Sequence, residues 1–157
     1  MNVAIAPRPV TLNTDATADT APQGLVMIVG DDLSWGPGLD AICDFFGLVV
    51  EHVPSELDVA FLLREFRPMA VIAEADGRGQ DGFHVMGAVA DYDRTLPMML
   101  LTGRDAALMG AADAMVEITG LTHMRIAEEL PRMGEVIDFL FRAGRSAGIG
   151  RMMPVSA

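Results

Sequence analysis

Short, continuous apolar runs alternate along the chain with longer segments in which apolar residues recur at helical spacing. The runs are GLVMIVGDD, LVVEHV, MAVIAEA and LPMMLLTG, and a short fifth run lies near TGLTH. Continuous runs of this length are typical of strands that are buried on both faces of a parallel sheet. The pattern therefore predicts five strands.

A segment with helical spacing follows each predicted strand. These segments are SWGPGLDAICDFFG, SELDVAFLLREF, GFHVMGAVADYD, RDAALMGAADAMVE and PRMGEVIDFLFRAGRS. In the second segment Ser55 is the predicted N-cap. Its predicted inward face comprises Leu57, Ala60, Leu63 and Phe66. The alternation of strand and helix predicts an α/β fold with a doubly wound, five-stranded parallel sheet of flavodoxin-like order, (βα)5.

The ends of the chain lack this pattern. Residues 1–23 are rich in Thr, Ala, Asp and Pro without a sustained period, and we predict a flexible N-terminal arm there. Residues 24–145 form the predicted folded domain, and residues 146–157 a flexible C-terminal tail. A chain of 157 residues suits one domain with a full core.

Charge and composition exclude several classes of partner. The net charge is −11, and every basic residue is an arginine, so a phosphate-binding surface for nucleic acid is not expected. No apolar stretch reaches the roughly 18 residues of a membrane span, and no signal peptide is recognised. The single cysteine, Cys43, fits a reducing compartment. We therefore expect a cytoplasmic protein that contacts neither membrane nor nucleic acid.

Polar residues follow the predicted strands where they end. The first strand ends at Asp31 and Asp32, the third at Glu74, the fourth at Thr102 and the fifth near His123. The carboxyl ends of parallel strands are where such sheets bind ligands. Converging carboxylates suggest a hard cation such as Mg²⁺, and a hydroxyl with a donor group suits an anion placed between them.

The motifs at these ends resemble those of the receiver (CheY-like) domain of two-component response regulators, across roughly residues 24–145. IVGDD resembles the first-strand motif that carries an acidic pair. VIAEADGRGQDGF resembles the third-strand motif, in which a glycine follows the acceptor aspartate by eight positions, as Gly82 follows Glu74 here. PMMLLTGRD resembles the fourth-strand motif, and LTHMRIAEEL the fifth-strand segment that normally reads Lys-Pro.

The resemblance implies a role for each strand-end residue, and it also shows departures. Glu74 falls at the phosphoacceptor position, Thr102 at the conserved hydroxyl and His123 at the invariant lysine. Asp31 matches the second acid of the pair, Gly30 falls at the first, and Asp32 partly substitutes for it. The aromatic switch position falls on Gly120. Any Mg²⁺ would be held weakly, by Asp31, Asp32 and the backbone carbonyl of Asp76.

These departures predict a degenerate receiver, or pseudo-receiver. The extra methylene of Glu74 shifts its oxygens by about 1 Å, which can cost about 10²-fold in rate. The missing lysine cation raises the barrier to phosphotransfer by several kcal/mol more, since removal of one oxyanion donor costs about 2.7–4 kcal/mol. Two alternatives stay open: Glu74 imitates a phosphoaspartate by reaching the Thr102 hydroxyl, or it is a plain carboxylate at a decayed site. A pH-sensitive contact between Glu74 and His123 is a further hypothesis, and Trp35 either caps the rim or packs there.

The predicted function is signal transduction by protein–protein interaction, without catalysis. The expected partner is a histidine kinase, a phosphotransfer protein or another regulator, and the face of the fourth helix, fifth strand and fifth helix suits a homodimer. One alternative is a small-ligand-sensing module. Another is a phosphohydrolase with Asp31 as nucleophile. That class requires a second acid two positions later and a lysine, whereas this chain has Leu33 at that position and no lysine.

Overall fold

The strands and helices alternate strictly along the chain. The computed structural model describes residues 24–32, 34–77, 79 and 81–149. The strands are β1 (Leu25–Val29), β2 (Val49–Val53), β3 (Ala70–Glu74), β4 (Met98–Leu101) and β5 (Met124–Ala127). The helices are α1 (Gly36–Phe45), α2 (Val59–Phe66), α3 (Gly82–Tyr92), α4 (Ala106–Thr119) and α5 (Met133–Ser146).

The strands form one parallel sheet in the order β2-β1-β3-β4-β5. The predicted doubly wound architecture is therefore confirmed. Glu74 is in register with Leu101, and Leu101 with Ala127, so the carboxyl ends of β3, β4 and β5 lie level at one edge. This edge, which we call the carboxyl edge, holds the loops that follow the strands.

Each face of the sheet carries its own apolar core. On one face Met27 and Val29 of β1 pack with Leu63, Val89 and other residues of α2, α3 and α4. On the opposite face Val26 and Ile28 pack with residues of α1 and α5. Because alternate residues of β1 supply both cores, the strand is apolar throughout, as its sequence predicted.

The fifth strand lies later than predicted. It spans Met124–Ala127, and the predicted position near TGLTH is wrong. Gly120 ends α4 in the left-handed conformation with φ 71°, and Leu121 is buried just after it. Every residue of β5 is half-buried, and Arg125 interrupts it, as suits an edge strand. It therefore lacks the continuous apolar run that marked the other strands.

The second helix also begins later than predicted. Its N-cap is Asp58, whose carboxylate accepts a hydrogen bond from the Phe61 amide at 3.3 Å. The prediction of Ser55 as N-cap is wrong. Leu57 precedes the helix and is exposed, and Phe66 is exposed as well, while Val59 and Leu63 are buried. Of the predicted inward face, Leu63 therefore lies in the core, while Ala60 is half-buried and Leu57 and Phe66 are exposed.

The last helix runs to Ser146, one residue past the predicted domain end at residue 145. The predicted arm, residues 1–23, and residues 150–157 of the predicted tail lie outside the described residues. Among the helices of the described ranges, none combines the length and the apolar character that crossing a membrane requires.

Candidate functional site

An open cavity of about 650 Å³ lies at the carboxyl edge of the sheet. It receives residues from the loops after β1, β3 and β5, together with the end of β4. No described residue that lines it is basic, and its acidic lining residues are Asp31, Asp32, Glu74, Asp76, Glu128 and Glu129. We call this cavity the acidic pocket.

Glu74 stands at the end of β3, and an indole group caps its carboxylate. Trp35 immediately precedes α1, and its Nε1 donates a hydrogen bond to Glu74 Oε1 at 2.8 Å. Burial raises the pKa of Glu74 above its ordinary value, and the nearby charges of Asp32 and Asp31 raise it further. The hydrogen bonds from Trp35 and from the Asp32 backbone oppose this shift without cancelling it. The site thus holds a carboxylate in surroundings that disfavour its charge.

Asp31 is held by Ser55, which is 1% exposed. The Ser55 hydroxyl donates to Asp31 Oδ2 at 2.6 Å, and the Ser55 amide donates to Oδ1 at 3.1 Å. The same hydroxyl accepts a hydrogen bond from the Gly79 amide at 3.0 Å. Ser55 therefore joins the loops that follow β1, β2 and β3. This network was not predicted, because Asp31 and Gly79 each lie 24 positions from Ser55 along the chain.

Thr102 is 5% exposed, at the end of β4. Its hydroxyl donates to the Gly103 carbonyl at 3.0 Å, with the Ala127 carbonyl farther away at 3.4 Å. Within the described part of the chain no hydrogen bond joins Thr102 to Glu74, whose recorded side-chain donor is Trp35. The structure thus brings both residues to the pocket, but the predicted contact between Glu74 and Thr102 is not formed.

His123 does not reach the acidic pocket. It precedes β5, and its carbonyl accepts a hydrogen bond from the Met98 amide at the start of β4. It therefore lies at the amino edge of the sheet, so its predicted position at the carboxyl end of the fifth strand is wrong. The predicted contact with Glu74 is wrong for the same reason.

The residue that follows β5 at the carboxyl edge is Glu128, whose carbonyl accepts from the Gly103 amide at 2.8 Å. An acid therefore occupies the place where the resemblance led us to expect the lysine position. Three residues earlier stands Arg125, which pairs with Glu135 at 3.0 Å. The aromatic switch position thus falls on Arg125, and the assignment to Gly120 is wrong. Placing β5 at MRIA, before the acidic pair, would have found Glu128.

A magnesium site is what this fold implies at such an edge. In the described ranges, no group of three or more His, Cys, Asp or Glu side chains is placed to hold a metal ion. Both oxygens of Asp31 accept hydrogen bonds from Ser55, and Gly30 supplies no side-chain ligand. The predicted set of Asp31, Asp32 and the Asp76 carbonyl includes only two side-chain carboxylates, and weak Mg²⁺ binding there stays a prediction.

Comparison with known proteins identifies the fold. No protein-family model matches the sequence, and no curated protein matches it either. Among solved structures, the receiver domain of nitrogen regulatory protein C is similar with a TM-score of 0.64 and 20% identity, covering 80% of this chain and 97% of that one. The receiver domain of the sensor histidine kinase PA1611 from Pseudomonas aeruginosa is similar with a TM-score of 0.60 and 19% identity, covering 76% of this chain and 96% of that one.

The chemotaxis protein CheY4 of Vibrio cholerae gives a TM-score of 0.58 and 17% identity, covering 77% of this chain and 98% of that one. The chain therefore has the receiver-domain fold, and the resemblance seen in its strand-end motifs is confirmed at the level of the fold. The PA1611 structure is described with a magnesium ion coordinated in its active-site cleft.

Proposed function

We propose that this chain is a degenerate receiver domain that acts in signal transduction by binding a protein partner, with phosphotransfer lost or very weak. One observation carries the proposal. At the position where a receiver holds its acceptor aspartate, Glu74 is capped by Trp35 in a pocket whose described lining is acidic and includes no basic residue.

Phosphoryl transfer needs cations around the transferred group. The reaction is catalysed by positioning and by neutralising the charge on the phosphoryl oxygens. Here the position after β5 is Glu128 rather than a cation, so an incoming phosphoryl group meets further negative charge. Losing a single stabilising donor costs about 2.7–4 kcal/mol in comparable sites, and replacing it with an acid costs more. The misplaced carboxylate of Glu74 adds to this barrier.

The contact with Trp35 also bears on how Glu74 acts. Trp35 packs against the core cluster between the sheet and α1 and α5. Glu74 is therefore coupled to the start of α1, and the Thr102 hydroxyl is turned to backbone carbonyls instead. This favours a constitutive arrangement that involves α1 over imitation of a phosphoaspartate through Thr102.

A histidine kinase, a phosphotransfer protein or another regulator is the partner class that suits this fold. One of the similar structures is itself the receiver of a sensor histidine kinase. Ile118 of α4 is 77% exposed and Met133 of α5 is 65% exposed, so both helices offer such a partner apolar surface to cover.

A radiolabelled small-molecule acyl phosphate with Mg²⁺ tests the loss of phosphotransfer. We expect no stable label on the wild-type chain. The double variant Glu74→Asp, Glu128→Lys restores the acceptor and a cation, and we expect it to take up more label than either single variant. Circular dichroism establishes that each variant is folded. Stable labelling of the wild type would contradict the proposal.

The phosphohydrolase alternative is disfavoured because Asp31 already accepts hydrogen bonds at both oxygens from Ser55. Turnover of a generic phosphate ester that disappears in Asp31→Asn would reverse this conclusion. The small-ligand-sensing alternative has one observation in its favour, since the open cavity places the Trp35 indole beside carboxylates. Calorimetry with small organic cations separates it from a module that binds only proteins.

A further inference from the structure

A row of three phenylalanine rings crosses the outer surface between α1 and α5. Phe45 contacts Phe46 edge to face with ring centroids 5.0 Å apart, and Phe46 contacts Phe141 in the same way at 5.2 Å. Phe45 remains 54% exposed at the end of the row. Large aromatic side chains that stay accessible in a preformed cluster are the typical anchors of protein interfaces.

The two helices that carry this aromatic row also carry opposite charges next to its rings. On α1, Asp44 directly precedes Phe45 and lines a groove with Leu48 and Val50 of the edge of the sheet. On α5, Arg145 stands one helical turn after Phe141. Both residues are exposed, and neither forms an ion pair with any residue that the structure describes.

Their neighbours, in contrast, are already paired. Asp40 contacts His52 at 2.9 Å, and Arg142 contacts Asp138 at 3.1 Å. The aromatic row is thus bordered by one acid and one base that still lack a partner within the described part of the chain. A surface with this order of acid, aromatic rings and base is complementary to itself.

We propose that a second copy of this chain packs on the aromatic row about a two-fold axis that crosses it. A two-fold rotation brings the acidic side of one copy over the basic side of the other. Asp44 of each copy then meets Arg145 of the other, and the two Phe45 side chains are covered between them. Buried aromatic rings supply the affinity, and the two ion pairs at the rim fix the orientation.

This surface differs from the predicted homodimer face of α4, β5 and α5. It also has a natural control, since Phe61 on α2 is 51% exposed but takes part in no ring contact among the described residues. The proposal depends on the fold and on these contacts alone, so it stands or falls separately from the loss of phosphotransfer.

Sedimentation velocity of the full chain over a range of concentrations tests the proposal. We expect a dimer for the wild type, a monomer for Phe45→Ser and a dimer for the control Phe61→Ser. Both substitutions fall on exposed side chains, and circular dichroism establishes that the fold is kept. A wild type that is monomeric at every concentration overturns the proposal, as does a dimer that survives Phe45→Ser but not Ile118→Ser.

Charge reversal then tests the orientation. Asp44→Arg and Arg145→Asp should each weaken the dimer by roughly tenfold, because two exposed ion pairs become repulsions. An equimolar mixture of the two variants should form a heterodimer of near wild-type affinity, since one pair forms with its signs exchanged and the other forms as in the wild type. A mixture no tighter than either variant alone overturns the proposed two-fold arrangement.

Discussion

The two edges of the sheet differ in the charged residues that line them and in how they are held together. The carboxyl edge gathers six carboxylic acids, Glu74 among them, and is joined by the contacts of the buried Ser55. At the amino edge, a cleft between β5 and α5 is lined by His123, Arg125, Arg142 and Asp138, and Asp138 pairs with Arg142. Arg125, the one cation of β5, therefore lines a cleft at the edge away from the acceptor position. The receiver-domain fold is thus kept although no basic residue is among the described residues that line the pocket at its carboxyl edge.

The largest loss of stability at the carboxyl edge is expected from substitution of Gly82, where α3 begins against the end of β3. A Cβ at this position would lie 2.5 Å from Leu100 Cδ1 and 2.7 Å from the Glu74 carbonyl oxygen. We expect Gly82→Ala to lower the free energy of unfolding by up to about 3 kcal/mol in urea denaturation, because backbone atoms must move. Gly87→Ala, in open space on the same helix, should be neutral or stabilising by at most about 1 kcal/mol. Equal effects of the two changes would show that the carboxyl edge is not closely fitted.

Removal of a hydroxyl group at either edge should have a smaller effect on the free energy of unfolding. Ser55→Ala removes the donor to Asp31 and the acceptor of the Gly79 amide, so it should cost about 1–3 kcal/mol of unfolding free energy. Thr122→Val at the amino edge removes an exposed hydroxyl that contacts His123 at 2.9 Å, and it should cost less than about 0.5 kcal/mol. Chemical denaturation of both variants measures the difference. A costlier change at Thr122 would reverse the comparison of the edges.

The smallest expected effect is a pH-dependent change in melting temperature when the charge of Glu74 is removed. Because the pKa of Glu74 is raised in the folded state, folding binds a proton more readily there, and ionisation at neutral pH opposes folding. Glu74→Gln keeps an acceptor for Trp35 and should raise the melting temperature at pH 7. The gain should shrink as the pH falls through the raised pKa and vanish below the ordinary value of 4.5. A gain that is constant from pH 4 to pH 8 would contradict the raised pKa.

The sequence predicted the order of the elements and four of the five strands, because β1, β3 and β4 are almost wholly buried and the edge strand β2 still begins with an apolar run. It misplaced the fifth, since β5 is an edge strand whose residues are all half-buried and which includes Arg125. That single shift moved the expected lysine position from the carboxyl edge to His123 and concealed Glu128.

The candidate site was predicted in its positions but not in its contacts. Glu74, Asp31 and Thr102 lie at the pocket because strand ends determine where side chains emerge. The partners of Glu74 and Asp31 are Trp35, 39 residues away, and Ser55, 24 residues away. No local pattern specifies such pairs, since they depend on how the loops fold over the finished sheet.

The hydrogen bond between Trp35 and Glu74 has a practical consequence. The chain has a single tryptophan, and its indole N–H donates directly to the carboxylate at the acceptor position. Tryptophan fluorescence of the unlabelled protein therefore arises at the acidic pocket. Ionisation of Glu74, entry of a ligand or engagement of α1 by another molecule should each change that emission, so the chain carries its own optical reporter of the site.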